Sequence, residues 1–320
     1  MSKKVALICG ISGQDGAWLA KLLLEKGYRV VGSSRDAQMS SFENLKRLGI
    51  FGQVEYVSMA HNDFRSVLQA LVKVEPSEVY NLGGQSSVGL SFQQPVETLE
   101  SIATGTLNLL EAIRFIDTGI RFYNAGSSEC FGDTGKHGAA DENTPFRPKS
   151  PYAVAKAAAY WEVANYRESY ALHACSGILF NHESELRPSR FVTKKIVETA
   201  VRISRGASEK LNLGNIEIYR DWGYAPDYVK GMWSMMQTDN PEDFVLATGN
   251  SHSLQEFVIS IFSGLDLDWQ EHVQIEESYF RPSDIHYSRG NPEKARSELG
   301  WEAETLFDEL VKKLIAAEDI

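Results

Sequence analysis

The sequence predicts an α/β protein, a doubly wound parallel sheet with a smaller α/β lobe. Three observations predict it. Short apolar runs alternate with helical patterns through the first half of the chain, as in crossover-connected parallel strands. A glycine-rich turn, Gly10 to Gly16, joins the first run to the first helical pattern. A polar turn, Ser127-Ser128-Glu129, closes a later run, at the sheet edge where open α/β folds bind ligands.

The elements follow in order. Val5 to Cys9 is a continuous apolar run ending on Gly10, which suits a buried parallel strand. Residues 17–26 carry leucines at helical spacing (Leu19, Leu22, Leu23) and stop at Gly27. Strands are expected at 28–32, 78–82 and 121–125, with helices at 65–74 and 98–115 between them. Pro151 marks the start of a helix that opens with Tyr152. Beyond it, 181–191 is polar and reads as a loop, 191–205 is amphipathic, 211–221 reads as one strand, and 280–291 is a loop holding Pro282 and Gly290. Right-handed crossovers place helices on both faces of such a sheet.

The bulk numbers narrow the partners. The 320 residues carry a net charge of −11, which argues against nucleic-acid or anionic-membrane binding, because phosphate-binding surfaces are basic. Cys9, Cys130 and Cys175 lack metal-ligand spacing and read as reduced, structural thiols; no metal is expected. No apolar run reaches the length of a membrane span, and MSKK runs into the first strand without a signal-peptide pattern. The expected compartment is the cytoplasm.

The turn Gly10-Ile11-Ser12-Gly13-Gln14-Asp15-Gly16 reads GxxGxxG. Bare backbone there can approach a pyrophosphate, and the helix N-terminus meets its charge. Three glycines alone would also suit a tight strand-to-helix turn; their position between the first strand and first helix favours a dinucleotide. After the second strand come Ser33, Ser34, Arg35 and Asp36. Arg35 with two hydroxyls favours the 2′-phosphate of NADP, while Asp36 keeps NAD open. The bland alternative for Arg35 is a surface ion pair.

Tyr152 and Lys156 stand four apart on one helix face. An ammonium there can draw a phenol below its free value near 10, making a base for a hydroxyl proton. Glu129 adds a second base, and two bases beside a hydride acceptor suggest oxidation coupled to elimination. Turn or capping bonds are the alternative for Ser127 and Ser128, as a solvent-facing acid is for Glu129.

Taken together these motifs make the chain resemble the extended short-chain dehydrogenase/reductase (NAD-dependent epimerase/dehydratase) family, and within it the GDP-mannose 4,6-dehydratases. The likeness runs through GISGQDG at 10–16, NLGGQSSV at 81–88, GTLNLLEAIR at 105–114, SSE at 127–129 and SPYAVAK at 150–156. It continues through NHES at 181–184, FVTKKI at 191–196, LGN at 213–215, RDWG at 220–223 and RP at 281–282. The resemblance implies Ser127, Glu129, Tyr152 and Lys156 as catalytic. It implies cofactor contacts at Gly10, Ser12, Gly13, Gln14, Asp15, Gly16, Arg35, Leu82, Gly83, Gln85, Tyr152, Lys156 and His182. For a GDP-sugar it implies Gln85, Ser86, Ser128, Glu129, Asn181, Val192, Lys195, Gly214, Arg220 and Arg281, the last two with Lys195 being suited to a diphosphate. It further implies a homodimer or homotetramer. Residues 1–180, with a return at about 216–248, would hold the dinucleotide; 181–215 and 249–320 would hold the nucleotide sugar.

Ser127 stands where the family usually has threonine, keeping the hydroxyl. Asp36 replaces a second arginine. Met59 replaces the acid after the third strand that typically contacts adenine, leaving Asn62 and Asp63 as shifted candidates. Ser87 stands where histidine is usual, and Leu186-Arg187-Pro188 alters the loop after NHES. These departures leave open a GDP-sugar other than GDP-mannose. An epimerase or a 4-keto-sugar reductase of the same fold is the competing reading, and Glu129, which those relatives ordinarily lack, separates them.

Overall fold

The computed structural model describes residues 3–318. Its twelve strands are β1 Val5–Cys9, β2 Arg29–Ser34, β3 Glu55–Ser58, β4 Glu78–Asn81, β5 Arg121–Ala125, β6 Ala174–Leu179, β7 Asn181–Glu183, β8 Leu211–Leu213, β9 Tyr219–Tyr224, β10 Phe244–Leu246, β11 Ser251–Ser253 and β12 Val273–Ile275. Seven form one sheet in the order β10-β6-β5-β4-β1-β2-β3, parallel throughout. The strand order reverses beside β1, so the carboxyl ends of β1 and β4 splay apart there and open a crevice.

Helices cover both faces. One apolar cluster joins Ile8, Leu19, Leu23, Tyr80 and Tyr123 to Met232 and Trp301. The other joins Leu7, Val31, Leu71 and Val79 to Leu109 and Phe122. Alternate residues of β1 thus face opposite layers, as the pleat requires, and burial on both sides explains its unbroken apolar run.

Three expectations change. The 181–191 loop begins with a strand, since Asn181–Glu183 pairs β9 in parallel. The single strand at 211–221 is two: β8 pairs β12, while β9 joins β7 and β11 in a separate three-stranded sheet. Of the segment 216–248, therefore, β9 leaves the large sheet, and only the helix Ala225–Met235 and β10 pack on it. No local pattern announces this, because the pairing partners lie far along the chain. The helix expected at 98–115 is Pro95–Leu99, a π-helical turn Glu100–Thr104, then Gly105–Ile116. Gly105 lies against His61, where a Cβ would come within 3.1 Å of the histidine Cβ, and π turns of this kind cluster near functional sites.

The smaller lobe has its own core, with Ile196, Leu213, Trp222, Phe257 and Leu310 at its centre. Among the described residues no helix is long and apolar enough to cross a membrane.

Candidate active site

The glycine turn is built so that only bare backbone fits. Gly10 has φ +80°, and a Cβ there would reach 2.7 Å from the Leu82 carbonyl oxygen. A Cβ on Gly16 would strike the Gly10 carbonyl, and one on Gly83 the His61 ring. The first helix, Gln14–Glu25, starts at Gly13 with no side-chain cap, leaving its N-terminal dipole for an outside anion. These features suit a dinucleotide. Gly16→Ala is expected to cost about 1–3 kcal/mol through backbone overlap and to abolish dinucleotide binding, read by thermal unfolding and by fluorescence titration.

A groove of about 800 Å³ runs over this turn. Of the residues named from sequence it gathers Gly10, Ser12, Gly13, Gln14, Asp15, Gly16, Arg35, Leu82, Gly83, Gln85 and Ser86. Arg187, Arg190 and Phe191 close its far wall, and sequence reasoning missed all three as site residues. Arg187 is held by Glu183 at 2.9 Å and lies 4.0 Å over the Phe191 ring; Arg190 reaches Ser86 Oγ at 3.2 Å. A cation four residues after Glu183 was the available signal for Arg187. Arg190 had none.

Several of these side chains also make contacts within the protein. Gln14 donates to the His182 carbonyl at 3.1 Å and accepts from Ser184 Oγ at 2.9 Å, while Asp15 meets His182 Nε2 at 3.0 Å. Both tie the turn to β7. Gln85 donates to the Ser87 carbonyl in its own loop and to Thr98 on the helix Pro95–Leu99. Asp36 accepts from the backbone N–H of Gln38 and Met39 at 3.0 and 3.1 Å, so its carboxylate closes a turn. Met59 is 1% exposed in the core. Asp63, one shifted candidate for its role, caps the helix Phe64–Val74 through Arg65 N and Ser66 N; Asn62 remains on the groove.

The candidate reacting groups gather at the carboxyl end of β5. Ser127 caps a single 3-10 turn, Ser128–Phe131, by accepting from Glu129 N at 3.3 Å. Ser150 caps the helix Pro151–Tyr170 through Ala153 N at 3.1 Å, which sets Tyr152 and Lys156 on the face toward β5. Lys156 Nζ donates to the Ala125 carbonyl at 2.8 Å and stands 5.9 Å from the Tyr152 ring centroid. Glu129 and Arg187 both act electrostatically on Tyr152, and Asp15 on Lys156. The cluster is therefore continuous with the glycine turn.

Their titration departs from the simple expectation. Burial raises the Tyr152 phenol well above its ordinary value, against a lowering hydrogen bond from Ser127. Burial also draws Lys156 down to about 8. Lys156 does not by itself lower the phenol, because desolvation outweighs one ammonium at that distance.

Arg220 is buried at 4% exposure. It donates to the Ile285 carbonyl at 2.8 Å and pairs Asp284 at 3.3 Å. Burial lowers its pKa, while Glu129 and Asp284 raise it, so the second lobe reaches the acid at β5. Arg281 is 3.8 Å from Asp284. Lys195 donates to the Asn212 carbonyl at 2.7 Å and lies 4.9 Å from the Tyr279 ring centre. Gly214 passes so near the 3-10 turn Glu277–Tyr279 that a Cβ would meet Tyr279 O at 2.8 Å. Asn181 lies on β7, paired with Trp222 of β9, and Val192 is first in the helix Val192–Ser204.

The sequence model of GDP-mannose 4,6 dehydratase matches residues 7–314. The chain belongs to the GDP-mannose 4,6-dehydratase family. GDP-mannose 4,6 dehydratase 1 of Arabidopsis thaliana is 46% identical over 325 residues, covering 98% of this chain and 89% of the relative. The GDP-mannose 4,6-dehydratase of Vibrio cholerae serotype O1 is 42% identical over 352 residues, covering 99% and 94%. Among solved structures, the Thermus thermophilus UDP-glucose 4-epimerase complex with NAD superposes with TM-score 0.86 at 24% identity, covering 98% and 99%. The Bacillus anthracis dTDP-glucose 4,6-dehydratase in complex with NAD gives 0.86 at 18%, covering 99% and 96%. These two establish the shared fold of this family member; the sequence matches establish its family.

Proposed function

We propose that this family member is a hydro-lyase that converts GDP-mannose to GDP-4-keto-6-deoxymannose. The observation that carries the reading is Glu129 placed with Tyr152 and Lys156 at one strand end, in a chain matched by the family from residue 7 to 314. A bound nicotinamide would accept hydride from C4 and return it to C6, and its oxidised ring is positively charged. Tyr152 takes the C4 hydroxyl proton, with Ser127 at its oxygen. The ketone at C4 acidifies C5–H, and Glu129 removes that proton. The same carboxyl protonates the C6 hydroxyl, which leaves as water, and C5 regains a proton from solvent through Glu129. Arg220, Arg281 and Lys195 hold the diphosphate; Asn181, Val192, Gly214, Ser86 and Ser128 line the nucleotide and sugar. Incubation with GDP-mannose should give a product lighter by one water in mass spectrometry. Unchanged substrate alongside turnover of another GDP-sugar would move the assignment to that sugar.

For the cofactor the reading is NADP. Asp36 is committed to its turn, whereas Arg35 is exposed on the groove and forms no ion pair among the described residues. Arg35→Ala should remove a charged hydrogen bond worth about 1.5–3 kcal/mol, raising the NADP Kd roughly 10–100-fold and leaving NAD nearly unchanged. An equal effect on both would favour NAD as the natural cofactor.

Residues 1–180 with 225–248 form the cofactor lobe in this reading, and 181–224 with 249–320 the sugar lobe, because β9 pairs outside the large sheet. A homodimer is supported by Phe115 at 74% and Trp161 at 63% exposure on the neighbouring helices Gly105–Ile116 and Pro151–Tyr170, since apolar surface of this kind seeks cover. Sedimentation velocity decides between monomer, dimer and tetramer.

A further inference from the structure

His182 lies on β7 at 7% exposure. Its Nδ1 is 2.7 Å from the Phe180 carbonyl oxygen, and its Nε2 is 3.0 Å from Asp15 Oδ2. A carbonyl oxygen only accepts, so Nδ1 carries a proton; an ionised carboxylate only accepts, so Nε2 carries one too. An imidazole that donates from both nitrogens is a cation. The Tyr228 ring lies against it, 4.4 Å between centroids and 19° from parallel, a surface suited to positive charge.

Asp15 sits in the first turn of the helix that receives the pyrophosphate in the reading above. A free carboxylate there would repel that anion. We propose that His182, as the imidazolium, is a positioning residue that cancels the Asp15 charge and fixes the glycine turn, so that a dinucleotide's pyrophosphate can bind. This rests on the cofactor reading. The sequence separation of the pair ties the turn to the strand that precedes the Arg187 loop.

The surrounding charges agree with the geometry. Burial alone would lower His182, but the charge and hydrogen bond of Asp15 outweigh it and the imidazole is raised. Burial would raise Asp15, but His182 first, then Arg187, hold it down at about 2. The groups facing His182 are Asp15 from the first helix, Arg187 from the loop after β7, and Tyr228 from the helix Ala225–Met235. Because the imidazole is raised, its contribution is complete below the ordinary histidine range and is lost as pH rises through the raised value.

The test is the affinity for reduced NADP, by fluorescence, between pH 7 and 9.5, above the titration of a 2′-phosphate near about 6. Lys156 titrates in the same window, drawn to about 8, so the comparison is among variants. Wild-type affinity should fall at least tenfold further over this range than that of Asp15→Asn or His182→Gln. Asp15→Asn should also bind more tightly than wild type at pH 9.5, which a merely structural role would not produce. Three superimposable profiles would overturn the proposal while leaving the cofactor reading intact. No binding of NADP or NAD in any protein at any pH would overturn that reading and the proposal with it. Should a variant fail to fold, side-chain ¹⁵N shifts of His182 in the wild type decide; a neutral tautomer at pH 7 overturns the proposal.

Discussion

Glu129→Gln should leave oxidation at C4 nearly intact and slow proton removal at C5 by roughly 10²–10⁴-fold, the usual worth of a positioned acid–base group. Glutamine keeps the size and the polar end but cannot accept a proton. The 3-10 turn that carries it is held by Ser127 Oγ on Glu129 N, a backbone contact the substitution leaves alone. The ketone forms and elimination stalls, so reduced cofactor should build up after mixing with GDP-mannose and decay slowly. In D₂O the sugar should gain almost no deuterium at C5. Normal C5 exchange in this variant would remove Glu129 from the base role. It would also weaken the distinction from an epimerase, which rests on that residue.

Tyr152→Phe should stop the reaction one step earlier, again by roughly 10²–10⁴-fold. The ring packs with Ile102, Ala155 and Ala159, and phenylalanine fills the same space, so the variant should fold with a loss of only about 1 kcal/mol for the missing hydrogen bond. Without the phenol the C4 hydroxyl proton has no acceptor, no ketone forms, and C5–H is never acidified. Neither reduced cofactor nor C5 deuterium should accumulate, in contrast to Glu129→Gln. The pair of variants thus orders the two bases in time. Reduction of cofactor at the wild-type rate in Tyr152→Phe would assign the first proton to another group. Burial raises Tyr152, against a lowering by Arg187, so its ionisation relies on further positive charge nearby rather than on Lys156 alone.

What could be read from the sequence was what local spacing encodes. Gly10, Gly13 and Gly16 fall in one seven-residue turn, Tyr152 and Lys156 in one turn of helix, and Ser127 to Glu129 directly after a strand. Each of these needs only its immediate neighbours to be recognised. Asp63 shows the opposite case: an acid four residues past Met59 is as good a helix cap as a ligand, and the backbone N–H groups of Arg65 and Ser66 hold it. Asp36 likewise accepts from the backbone N–H groups of its own turn.

The sequence by itself therefore determined the parallel α/β fold, the bare-backbone turn and the two candidate bases, because strand period, helix period and glycine placement are properties of contiguous residues. Only the tertiary structure decided that residues 181–183 are a strand and that 211–221 is two. It alone brought Arg187 and Arg190 across the groove, set Arg220 against Asp284, and joined Asp15 to His182. Those contacts link residues far apart in the chain, and their partners are chosen by which surfaces the sheet and its crossovers bring together, a choice that no short window of sequence contains.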